Sequence, residues 1–65
     1  MQIIINGKRE TFKKISLKDF LISKKLNLDT VVIEYNSVVL KKDEVEKIIL
    51  SDNDKLEILQ FVGGG

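Results

Sequence analysis

The sequence predicts an α+β fold: a mixed sheet of four to five strands packed on one helix, with a flexible C-terminal glycine tail. Three observations predict it. An Asn6-Gly7 pair separates two short strand-like runs near the start, and a Ser-capped amphipathic stretch begins at Ser16. The rest alternates between β-branched runs and turn residues. A hairpin, one helix and further strands in 65 residues leave a single solution, the helix lying across one sheet face. Residues 1–62 are expected to form the domain and 63–65 the tail.

Taken in order, Met1–Ile5 and Lys8–Phe12 are the arms of the hairpin. Asn-Gly supplies the two positive-φ positions of a type I′ turn. Period-2 alternation puts Met1, Ile3 and Ile5 on the core face and leaves Ile4 on the outer one. Ser16 is the expected N-cap, with Asp19 three residues on as a weak capping-box partner. Ile15 and Phe20 are spaced as a hydrophobic staple. Leu17, Phe20, Leu21 and Leu28 form the apolar stripe of a helix of some three turns, with Asn27 the expected left-handed residue stopping it near Leu26.

Thr30–Tyr35 is the next strand, broken by Asn36-Ser37 and resumed at Val38–Leu40. Lys41–Lys47, charged apart from Val45, is a loop or short helical turn, and Ile48–Leu50 a brief strand. Ser51-Asp52-Asn53-Asp54 is dense turn chemistry. Lys55–Val62 alternates as a final strand, with Leu56 and Ile58 on one face and Glu57, Leu59 and Phe61 on the other.

Composition excludes much. A chain this short buries only about 60% of its unfolded surface, too little for an enclosed catalytic cleft. With no Cys and no His it lacks a thiol nucleophile, a disulfide, the usual zinc ligands and the usual neutral-pH acid–base group. No calcium-loop spacing appears, so no metal is expected. Eleven basic and ten acidic residues leave a net charge of +1, and the Lys pairs at 13–14, 24–25 and 41–42 are interleaved with acids, against a nucleic-acid partner. No run approaches the roughly 20 apolar residues of a membrane span, and MQIIING lacks the features of a signal peptide. A cytoplasmic location is the expectation.

Three of the four glycines are Gly63, Gly64 and Gly65. Such an end adds nothing evident to stability. A fraying or engineered terminus is one explanation. The other is a thread without Cβ atoms that enters a narrow channel in another protein and delivers a sterically open carboxylate. A carboxylate must be activated, for instance as an acyl-adenylate, before a nucleophile can attack it. The chain has neither GxxxxGK[ST] nor GxGxxG, so ATP must be held by a partner and no cofactor is expected on this chain.

The Asn6-Gly7 hairpin, the Ser16-capped helix, the Asp52-Asn53-Asp54 turn and the ending Phe61-Val62-Gly63-Gly64-Gly65 together resemble the ThiS family, sulfur carriers of thiamin thiazole biosynthesis. The resemblance covers essentially the whole chain. It implies the ubiquitin-like β-grasp fold and a carrier rather than an enzyme. It further implies adenylation of Gly65 by an E1-like, ThiF-like enzyme and sulfur from a cysteine desulfurase. The terminus then becomes a thiocarboxylate whose sulfur passes to a ThiG-like thiazole synthase. Gly65 would carry the sulfur, Gly64 complete the Gly-Gly motif and Gly63 extend the thread, a third glycine beyond the family minimum. Rival readings are a carrier for molybdopterin, cysteine or tRNA thiolation, a ubiquitin-like conjugation tag, and an interaction module with an inert tail.

The alternation adds a docking expectation. Leu59 and Phe61 should lie on the outer sheet face with Val32, Glu34 and Ile4, an apolar cluster beside the tail. Scattered exposed apolar residues are ordinary, so the cluster counts only if the fold brings these residues together.

Overall fold

The structure, a computed structural model, describes residues 1–61. Its elements are β1 (Gln2–Ile5), β2 (Lys8–Thr11), α1 (Leu17–Ser23), a 3-10 turn (Leu28–Thr30), β3 (Val31–Tyr35), β4 (Val38–Val39), α2 (Lys42–Val45) and β5 (Asp54–Gln60). The five strands form one mixed sheet in the order β2-β1-β5-β3-β4. β5 is central, parallel to β1 and antiparallel to β3. The expected tail, with Val62, lies outside the described residues.

The first hairpin forms as its sequence dictates. Asn6 and Gly7 have φ of 48° and 83°, and Ile5 pairs with Lys8 across the turn. Asn36 and Ser37, at 48° and 73°, make a second turn of the same handedness between β3 and β4. Inward residues Ile3, Ile33 and Leu56 pack on Leu17, Phe20 and Leu21 of α1, with Val45 and Leu50 closing the core. Phe12 meets Phe20 edge to face, 5.1 Å between ring centroids.

Ser16 caps α1, its hydroxyl oxygen accepting from the Asp19 amide at 3.1 Å. The far end differs from expectation. The helix has seven residues, about two turns rather than three, and the left-handed residue is Lys25 (φ 58°), not Asn27. The Leu26 amide bonds the Leu21 carbonyl (3.0 Å) and the Lys25 amide that of Ile22 (2.9 Å), the paired bonds of a Schellman stop. The stop returns Leu26 to the core, whereas a third turn would have rotated it along the helix. Asn27 is extended and caps the 3-10 turn instead, accepting from the Asp29 amide at 2.9 Å.

Ile48–Leu50 is not a strand. Its one ladder contact is a bridge from Ile49 to Ser16, and it is fixed by Leu17 N–H to Ile48 C=O (3.0 Å) and Leu50 N–H to Ile15 C=O (3.0 Å). These bonds tie the segment to the entrance of α1, with Leu50 buried beneath.

Candidate functional site

β5 is the last described strand before the C-terminal glycines. β5 is fixed most firmly at its start. Asp54 is 8% exposed, and its carboxylate accepts from the Ser51 amide (2.7 Å), the Tyr35 hydroxyl (2.7 Å) and the Asn36 side-chain amide (3.1 Å). Burial alone would raise its pKa, but these three donors outweigh it and hold Asp54 below the ordinary 3.8. Burial, together with the bond to Asp54 and its charge, pushes Tyr35 up to about 12. Just upstream, the Asp52 carboxylate accepts from the Gln2 amide (2.7 Å) and the Asn53 amide bonds the Gln2 carbonyl (2.7 Å), docking the turn on β1.

Two asparagines grip β5 from opposite sides, each from the first position of a left-handed two-residue turn. Asn36 accepts from the Lys55 amide through its side chain (2.8 Å) while its own amide bonds the Lys55 carbonyl (2.8 Å). Asn6 accepts from the Ile58 amide (2.7 Å) and donates to the Ile58 carbonyl (3.2 Å). The Asn6 side chain thus acts as one further residue of β1, whose backbone pairing ends at Ile5–Leu56. Beyond Ile58 the described strand is held on its β3 side, the last bond running from the Phe61 amide to the Thr30 carbonyl at 3.0 Å.

The outer sheet face brings together most of the residues expected there. Leu59 is 67% exposed, Phe61 47% and Val32 42%. Val32 lies directly opposite Leu59, and Glu34 directly opposite Glu57. A shallow depression of about 330 Å³ is lined by Asn6, Val32, Glu34, Glu57, Ile58 and Leu59. Ile4 is on the same face but half-buried, in register with Lys55 four residues before Leu59, so the fold does not place it in this cluster. Glu57, unassigned in the sequence reading, belongs to it; its place on the outer face was legible, its partner Glu34 was not. Like charges directly opposite destabilise a sheet. Among the described residues neither carboxylate enters an ion pair, the three that form being Lys18–Glu46, Lys24–Glu10 and Lys42–Asp29.

The described residues contain no group of three or more acidic side chains that could hold a metal, and no helix long and apolar enough to cross a membrane.

Comparison with known proteins decides the family. The ThiS family model matches residues 3–65, tail included. The chain belongs to the ThiS family. It is 36% identical over 63 residues to the sulfur carrier protein ThiS of Bacillus subtilis, covering 94% of this chain and 96% of that one. It is also 33% identical over 67 residues to a thiazole synthase of Paramagnetospirillum magneticum, spanning all of this chain and 20% of that protein. The crystal structure of the thiamine biosynthesis protein ThiS from Geobacter metallireducens superposes with a TM-score of 0.82 at 29% identity, each chain covered in full. The ubiquitin-like β-grasp fold implied by the resemblance is therefore the fold of this ThiS-family chain.

Proposed function

We propose that this chain is a sulfur carrier of thiamin thiazole biosynthesis whose working group is the Gly65 carboxylate. A ThiF-like enzyme, using ATP bound at its own site, converts that carboxylate to an acyl-adenylate and releases pyrophosphate. The persulfide of a cysteine desulfurase attacks the acyl carbon and displaces AMP to give an acyl disulfide. An external thiol then cleaves that S–S bond, leaving as the mixed disulfide with the desulfurase, and the freed thiocarboxylate donates its sulfur to a ThiG-like thiazole synthase. The chain itself catalyses nothing, binds no cofactor and works in the cytoplasm.

One observation carries this reading: the family match runs through Gly63-Gly64-Gly65, not merely through the fold. Fold alone says little about activity, because function resides in sites placed on folds. The kinship with part of a thiazole synthase supports that pathway over molybdopterin or tRNA thiolation. The facing pair Val32 and Leu59, with exposed Phe61 two residues further on, is proposed as the surface on which the adenylating enzyme docks, so that partner contact and tail delivery lie close together.

The test is intact-mass spectrometry after incubation with a ThiF-like enzyme, ATP and a sulfur source. The expected product gains the mass of sulfur less oxygen, mapped to Gly65, and supports thiazole formation with a ThiG-like synthase. An unchanged mass, with enzymes proven on another carrier, would overturn the carrier reading. An amide to a lysine would replace it with a conjugation tag.

A further inference from the structure

The sheet keeps two carboxylates face to face on its outer surface, with Lys55 two residues before Glu57 on the same face yet, among the described residues, in no ion pair with either acid. Glu34 and Glu57 are paired residues of β3 and β5, on adjacent strands about 5.5 Å apart at Cα if they follow ordinary hydrogen-bonded pairs. The chain has eleven Lys and Arg residues, so supply does not limit compensation. The depression on the helix side offers the contrast. There Glu10 is matched by Lys24 at 2.9 Å, on the rim of a cavity of about 390 Å³. The outer depression has two acids and, among the described residues, no ion pair to either.

We infer that Glu34 and Glu57 form a socket for an arginine of the protein that docks on this face. The inference rests on the proposed carrier role and names what its adenylating partner must present. A guanidinium suits the socket better than an ammonium. Its planar fork can bond two carboxylates at once, and its weakly hydrated faces can lie on Val32 and Leu59, which line the same depression. A metal ion would find only these two acidic side chains, since no group of three is assembled among the described residues. Repulsion between the acids is relieved when the cation arrives, so the socket favours the bound state over the free one. It also rejects partners that present an acid here.

The test compares the wild type with Glu57→Lys, Glu34→Gln and Leu59→Ala for binding to a ThiF-like adenylating enzyme, across a range of salt concentrations. Glu57→Lys can pair with Glu34 within the sheet, so its melting temperature should hold or rise while affinity falls about tenfold or more. Glu34→Gln should weaken binding less and flatten its salt dependence. Leu59→Ala should weaken binding with the salt dependence intact. An Arg→Glu change on the enzyme should restore Glu57→Lys.

Unchanged affinity and salt dependence in both acid variants, with the wild type binding and being adenylated, would overturn the socket and leave the carrier role standing. Failure of the wild type to bind or be adenylated would remove both. Absence of any rescuing arginine would overturn the arginine assignment. A wild-type dimer dissolved by Glu57→Lys would give the face to a second copy instead.

Discussion

The two ends of β5 are built on opposite principles. At its start Asp54 is buried and accepts three hydrogen bonds, Lys55 is clasped by Asn36, and Leu56 is fully buried. At its end Leu59 and Phe61 face solvent, and the final described bond comes from one neighbour only. Asn6 at Ile58 marks the changeover. The lesson is a gradient along the strand: buried and hydrogen-bonded residues are concentrated where it begins, and exposed apolar ones where it ends.

The hardest way to break this contrast is to cut into the anchored half. Leu56→Ala should lose about 2–5 kcal/mol of unfolding free energy, measured by urea titration, because it opens a cavity in a small core. Asp54→Ala should cost about 3 kcal/mol, since Tyr35, Asn36 and the Ser51 amide all lose their acceptor.

Titration sharpens the same point without a large mutation. Asp54 is held below 3.8, so its stabilisation is present above that value and fades as pH falls through the lower folded value. Tyr35 is raised from 10.0 to about 12, so its contribution is full below pH 10 and disappears as pH rises through about 12. Urea midpoints against pH should show both edges. Tyr35→Phe should cost about 1 kcal/mol at neutral pH and erase the alkaline component assigned to this residue.

At the changeover, Asn6→Gly keeps the positive φ and removes only the side-chain grip on Ile58, for a loss of about 1 kcal/mol. Smallest of all, Phe61→Ala should move stability by no more than about 0.5 kcal/mol while slowing adenylation. A large loss of stability there would mean that the exit is part of the scaffold, and the contrast would fail.

Much of this was legible in the sequence because the signals were local. Asn6-Gly7, the Ser16 cap and the alternation expected over Thr30–Tyr35 and Lys55–Val62 each depend on residues close in the chain. The turn and the cap form as expected, and the alternation is carried by the described strands Val31–Tyr35 and Asp54–Gln60. What was missed depends on distant partners. Lys25 has no intrinsic taste for the left-handed region; it is put there by Leu26 turning back to the core. Asp54 looks like one more turn acid until Tyr35 and Asn36 arrive from β3 and its turn. The facing acids at Glu34 and Glu57 follow from strand register, which neither strand encodes alone. For the same reason Ile4, correctly placed on the outer face, could not be separated from the cluster by alternation alone.

The parallel pairing of β1 with β5 also sets a timetable. Asn6 meets Ile58 across 52 positions, and the hairpin and α1 flank or cover a central strand that comes after both in the chain. Closing so long a loop costs entropy before any reward, which makes such topologies slower to fold than helical bundles of similar size. On a ribosome the early segments have no sheet centre to join until about residue 60 has emerged. A nascent chain cut short of that point keeps its apolar residues exposed to chaperones and proteases, so completion of β5 separates a chain that can fold from one that cannot.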